Sequence, residues 1–333
     1  MYASSKKRGV FMEALLEGSH NRIRHFPIMM FAIVMGMGGL TIMYQKAGET
    51  LGFPLWMGQG LMVVSTALFG FIGGLYAWKS LHYNEEVCHE FSHPVRINFF
   101  SAISISMLML AIVHKEAFPF LSGLFWYPGT LLHLFLTLHT IAFWINHNQQ
   151  LDHSNPAWFI PIVGNVLVPI GGVGFVPTGA LFYFLSIGLF FWVVLFSIVL
   201  NRIIFHNQLA TKFMPTLFIL IAPPAVGFLS YLKLTHTLDT FALMLYNLGL
   251  FFTLLIAFMY KNFVKIKFFI SWWAFIFPLA AMAISTMVLF DLTKEGVVLY
   301  LAYGLVAATT LIVGIVIYQT LLHVKRGEIC VQE

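Results

Sequence analysis

The stretch SWWAFIFPLAAMAISTMVLF, Ser271–Phe290, decides the fold class. At roughly 20 residues of 1.5 Å rise it crosses a bilayer core of about 30 Å, and no charged residue interrupts it. Trp272 and Trp273 mark one end, where an aromatic belt meets lipid headgroups. Pro278 stands mid-stretch without an N–H, so the carbonyl of Ala274 loses its helical partner and a kink is predicted there. Kinked helices persist in lipid only where neighbours or a water-lined cavity satisfy the freed backbone. The stretch reads as the wall of a pore with an aromatic plug at the bend, Phe277 beside the kink or, as the alternative, Phe275.

The remaining residues share this character. With 59% hydrophobic and 9% charged residues over 333 positions, a soluble composition is excluded and an all-α, polytopic integral membrane bundle is indicated. The net charge of +5 is ordinary for basic cytoplasmic loops and implies no nucleic-acid partner. Cys88 and Cys330 fall in segments placed in the cytoplasm, so no structural disulfide is expected.

Ten spans are predicted: Phe26–Tyr44, Leu55–Trp78, Ile97–Val113, Gly123–Ile145, Trp158–Val173, Thr178–Ile204, Met214–Leu232, Leu238–Tyr260, Phe268–Phe290 and Val297–Val324. This divides the chain into a basic N-terminal tail (1–25), a ten-helix domain (26–324) and a short C-terminal tail (325–333). Within the first tail, Gly9–Gly18 fits either a short interfacial helix or a loose segment. The first apolar run is too long for a signal peptide and lacks a small-residue cleavage site.

The fifth span is short and holds Pro161, Gly164, Asn165 and Pro169, so hydropathy alone would discard it. Charge retains it. With ten spans and a cytoplasmic N-terminus, 14 of the 18 Lys and Arg residues lie inside; only Lys46, Lys115, Lys233 and Lys294 lie outside. Omitting the fifth span would invert everything after it and put Lys261, Lys265 and Lys267 outside.

Odd and even spans differ. Odd spans begin near aromatic or proline signals: His25-Phe26-Pro27, His93-Pro94, Asn155-Pro156-Ala157-Trp158, Met214-Pro215 and Trp272-Trp273. Internal prolines fall in the fifth, seventh and ninth spans (Pro161, Pro169, Pro223, Pro224, Pro278), and even spans are expected to have none past their first turns. Small and polar residues gather on odd spans, including Gly36, Gly38, Gly39, Ser104, Asn165 and Gly227. Kinked, glycine-rich helices suit an inner ring that lines a channel, and straighter helices suit an outer, lipid-facing ring. Gly36, Ser104, Asn165 and Gly227 are the candidate pore-lining positions, and the five internal prolines the candidate pore kinks.

The stretches HFPIMMFAIVMGMGGL (His25–Leu40), HPVRINFFSAISIS (His93–Ser106), LFILIAPPAVGFLSY (Leu217–Tyr231) and SWWAFIFPLA (Ser271–Ala280) resemble the tellurite-resistance/dicarboxylate transporter family. That family includes the bacterial TehA proteins and the plant slow-type anion channels of guard cells. The resemblance covers Arg24–Leu322 and implies ten helices in five hairpins around a central pore, assembled as a homotrimer with one pore per subunit. It also carries the role of gate onto Phe277. Kinase gating is not implied, because the plant channels' long phosphorylated tails are absent.

Other motifs are weaker. His89-Glu90-Phe91-Ser92-His93 matches H-E-x-x-H, but His93 precedes Pro94, which disfavours the helix that zinc hydrolysis needs. His133 and His139 lie six residues apart, off one helical face, and His114 and His147 sit near span ends. Hydrogen-bonded bundle or interfacial histidines are expected rather than haem or metal ligands. All 13 acidic residues are assigned to loops and tails, so neither a buried proton relay nor a voltage-sensing arginine span is expected.

The reading is therefore a passive channel for small anions rather than an enzyme, with no catalytic residue, metal or cofactor. Inorganic or organic anions and membrane lipid are its partners. A bacterial inner (plasma) membrane with both termini cytoplasmic is its place. The alternatives are a carrier or exporter of dicarboxylate, sulfite or tellurite-related anions on the same fold, and a membrane enzyme using the histidines.

Overall fold

The computed structural model describes residues 22–330; Lys6, Lys7, Arg8, Gly9–Gly18 and the last three residues lie outside them. Ten helices carry the fold: α1 (Phe31–Leu51), α2 (Leu55–His82), α3 (Ser101–His114), α4 (Pro119–Asn146), α5 (Ile160–Gly172), α6 (Thr178–Phe205), α7 (Ala222–Thr235), α8 (Thr240–Phe258), α9 (Ile276–Thr293) and α10 (Gly296–Lys325). The protein is all-α and integral to a membrane. Among the described residues nine helical segments are long and apolar enough to span, and Pro156–Gly172, the segment that ends in α5, is the shorter tenth.

Every odd helix is entered through a 3₁₀ segment: Ile28–Met30, Arg96–Phe100, Pro156–Phe159, Thr211–Ile221 and Ile270–Phe275. The proline and aromatic signals of the sequence sit at these lead-ins. Pro27 precedes the first, Asn155 caps the third by accepting the Ala157 N–H at 2.9 Å, and Pro215 lies within the fourth. Pro161, Pro223, Pro224 and Pro278 then fall in the first turn of α5, α7 and α9, where a missing N–H costs nothing. Where a mid-span kink was expected, the winding switches from 3₁₀ to α at Phe275–Ile276, inside the Ala274–Pro278 turn that the proline rule singles out. Pro169 alone of the five stands inside its helix.

Burial separates odd from even spans. In the windows that could cross lipid, 78% to 83% of residues are buried for α1, α3, α7 and α9 with their lead-ins, against 22% to 33% for the even helices. Nearly all of α5 is buried. Each odd helix packs on the even helix that follows it, giving five pairs, and α1, α3, α5, α7 and α9 also contact one another in a closed cycle. The even helices instead present Val63, Phe71, Leu131, Phe190, Leu254 and Leu311 outward, as lipid-facing surfaces do.

Two expectations are corrected. Pro128 is internal to α4, an even helix, because that helix begins at Pro119, earlier than hydropathy suggested. Charged residues also stand within the spanning helices: Lys46 and Glu49 in α1, Lys79 in α2, Lys233 in α7 and Asp291 in α9, because these helices run past the apolar windows, and Arg202 in α6, which the Thr178–Ile204 span already contained. All are near helix ends, where snorkelling or pairing is available.

Candidate functional site

The cycle of odd helices encloses a cavity of about 490 Å³ open toward their C-terminal ends. Each odd helix lines it with a stripe at helical spacing. The stripes are Gly39, Ile42, Lys46 and Glu49 on α1; Met109 and Ile112 on α3; Leu167 and Ile170 on α5; Val226, Leu229 and Lys233 on α7; and Phe277, Ala281, Ile284 and Val288 on α9. Its deep part is apolar and its rim is charged. At the rim Lys46 Nζ lies 3.1 Å from Glu49 and 2.9 Å from Asp291, which also accepts from Thr50.

A second cavity, about 400 Å³, opens at the lead-in ends of the same helices. Arg24, Lys79, Arg96 and Lys212 line it against Glu86, Glu90 and Glu328, with His25, His93 and His323 between them. Arg24 hydrogen-bonds Glu86 and holds that carboxyl below the usual range. Burial, with Arg96 beside it, pulls His93 below the ordinary histidine value of 6.5. Its Nδ1 accepts the backbone N–H groups of Val95 and Arg96, so that nitrogen carries a lone pair. Among the described residues the two cavities share no lining residue.

Phe277 is the second residue of α9, 8% exposed, at the deep end of the first cavity. A Cβ built on Gly39 would meet the Phe277 Cα at 3.4 Å and its ring at 3.5 Å, so α1 and α9 approach closely there. Phe275 is elsewhere, in an aromatic cluster with Phe218 (ring centroids 4.5 Å apart), Phe263 and Trp272.

The other singled-out positions face helix contacts. Gly36 packs under Trp273 and Ile276, and Gly227 under Leu189 and Leu245. Ser104 Oγ bonds His133 Nδ1 at 2.8 Å, and Asn165 Nδ2 donates to Thr137 and to the Pro161 carbonyl. His133 is fully buried against Gly164, so Ser104, His133, Thr137 and Asn165 form a polar seam joining α3, α4 and α5. His139 stacks on Phe91 at 4.6 Å and His147 on Phe143 at 4.4 Å. In the H-E-x-x-H stretch the helix Asn84–Phe91 ends before His93, and Glu90 is engaged by Lys79 at 3.0 Å and by the Tyr76 hydroxyl at 2.9 Å.

That buried Lys79–Glu90 pair, and the cavity stripes, were missed by sequence reasoning. The sequence places Glu90 in a polar loop, and helices apolar all round show no stripe above background.

The family described as SLAC1, voltage-dependent anion channel, matches residues 25–321. The plant S-type anion channel SLAH3 of Arabidopsis thaliana is 29% identical over 90% of this chain, which spans 48% of that protein's length. An uncharacterised transporter of Methanocaldococcus jannaschii is 26% identical over 92% of this chain and 96% of its own. A tellurite resistance protein TehA homolog of Haemophilus influenzae is 24% identical, over 90% of each chain.

Proposed function

This chain belongs to the SLAC1 family of voltage-dependent anion channels, and from that premise we propose that it passes small anions passively, through a pore in each subunit closed by Phe277. The observation that carries the reading is the first cavity: all five buried helices line it, and it ends at Phe277. An aromatic ring across an apolar constriction excludes water, so an ion crossing it sheds hydration with nothing in return. The deep wall holds no carboxylate, and a wall of this kind binds anions weakly and releases them readily.

The cavity opening at the C-terminal ends of the odd helices is the external vestibule, and the one at the lead-ins is cytoplasmic. The positive-inside distribution supports this orientation, with both termini cytoplasmic in an inner or plasma membrane. Four basic residues line the cytoplasmic vestibule against three acidic ones, which favours anions at that mouth. The proposed organisation is a basic tail over 1–25, the channel domain over 26–324 and a short tail over 325–333, assembled as a homotrimer. Pro161, Pro169, Pro223, Pro224 and Pro278 shape the spans around the pore. Gly36, Ser104, Asn165 and Gly227 support that wall through the helix contacts described above.

Likeness to a tellurite resistance protein homolog favours a second reading, a carrier or exporter of dicarboxylate, sulfite or tellurite-related anions on the same fold. Ion-replacement currents in planar bilayers separate the two. A channel gives a reversal potential that follows the anion gradient and currents that need no counter-substrate. Saturable flux dependent on a second substrate would establish the carrier, and reversal at the cation's equilibrium potential would reject anion selectivity.

A further inference from the structure

In the deepest layer of the external vestibule, α1, α3, α5 and α7 contribute Gly39, Met109, Leu167 and Val226 beside Phe277. Three of these put a bulky side chain against the space around the ring. Gly39 puts none. A methyl added at Gly39 would stand 3.4 Å from the Phe277 Cα, 3.5 Å from ring atom Cδ2 and 3.4 Å from Ala280 Cβ. These are ordinary contact distances, so the closed arrangement accepts the methyl without strain. The methyl nevertheless occupies the flank of the ring on the α1 side.

A phenylalanine that leaves the axis turns about χ1 between staggered wells, and its ring needs an unfilled wall to lie against. In a close-packed interior such a wall is rare. We propose that Gly39 is a positioning residue for the gate, keeping open the recess on α1 into which the Phe277 ring withdraws when the pore conducts. This rests on the reading of Phe277 as the gate. The neighbouring glycines have different surroundings: a methyl on Gly36 would lie 2.9 Å from Trp273 Cε3, and one on Gly38 3.2 Å from Met109 Cβ. Of the three, only a methyl at position 39 would have the Phe277 ring among its nearest neighbours.

The test is a two-residue cycle of anion currents in planar bilayers: the parent, Gly39→Ala, Phe277→Ala, and both together, with Gly39→Ser as a second probe of the same volume. Gly39→Ala and Gly39→Ser are each expected to elute and melt as the parent does, and to lower its current about tenfold, the effect of one methyl-sized group in packed space. In the Phe277→Ala background the same changes are expected to alter current by less than about twofold, because no ring remains to be received. Equal losses in both backgrounds would make position 39 plain pore wall and overturn the proposal. So would a gain of current, no loss in either background, or failure of Gly39→Ala to fold. Phe277→Ala measured alone reports on the gate reading, so the failure of one is told apart from failure of the other.

Discussion

Removing either member of the Lys79–Glu90 pair should destabilise the protein far more than a surface charge would. Lys79 is 2% exposed, sits 3.0 Å from Glu90, and donates to the Phe26 carbonyl at 2.9 Å, at the mouth of the first buried span. Glu90 also holds the Tyr76 hydroxyl. Glu90→Gln leaves the ammonium buried without a counter-charge, and Lys79→Met leaves the carboxylate so. Each should cost about 3–5 kcal/mol, the usual penalty for an uncompensated buried ion. Replacing both with apolar residues of similar size removes the two charges together. The residual cost is then the orphaned Phe26 carbonyl and Tyr76 hydroxyl, about 1–3 kcal/mol each. The assay is reversible unfolding of detergent-solubilised protein across an SDS titration, for the parent, Lys79→Met, Glu90→Gln and the double variant Lys79→Met/Glu90→Leu. Single variants costing under about 1 kcal/mol, or a double variant equal to the sum of its singles, would mean that Lys79 and Glu90 are not a desolvated, coupled pair.

Three further outcomes follow from the geometry. His93 has its folded pKa below the ordinary 6.5, so between those values the unfolded chain binds more protons and stability rises with pH; acidification through 6.5 should lower the melting temperature, and His93→Gln should flatten that slope. At Gly164 an added Cβ would fall 2.1 Å from His133 Cε1, whose ring is fully buried and bonded to Ser104, so Gly164→Ala should sharply lower the melting temperature, whereas Gly73→Ala, with nothing within 4 Å, should leave it level or raise it slightly. Cys88 is exposed on the cytoplasmic side of the proposed topology, so an impermeant maleimide should label it only after the membrane is opened, and a cysteine introduced at Glu116 should label without opening.

The sequence carried the division of labour between spans but not the winding of the backbone. Internal prolines concentrated on odd spans corresponded to burial, because broken helices need neighbours; glycines gave no such guide, since the even spans hold more of them, many beside open space. The short fifth span was recoverable from lysine placement, since discarding it puts Lys261, Lys265 and Lys267 outside, against the positive-inside rule. The 3₁₀ lead-ins were not legible, because hydropathy does not distinguish 3₁₀ from α winding in runs apolar on all faces. That is why Pro278 was read as a mid-span kink instead of a first-turn residue. Gly39 was visible only as one glycine among three on α1; its place beside Phe277 depends on how α1 and α9 cross. The Lys79–Glu90 pair escaped notice because partners eleven residues apart, on α2 and the short helix after it, look like ordinary loop charges.

In the proposed channel one ring, that of Phe277, closes the pore. Current through purified, folded Phe277→Ala in planar bilayers, beside Phe275→Ala and the parent, tests it most directly. About 1.4 kcal/mol of barrier corresponds to a factor of ten in rate, so removing a dry aromatic constriction should raise anion conductance by about tenfold or more. Phe275, held in its cluster with Phe218, Phe263 and Trp272, should cost packing and leave conductance near the parent's. A Phe277→Ala protein that conducts no better than the parent, whether or not Phe275→Ala opens the pore, would mean that the Phe277 ring is not the gate.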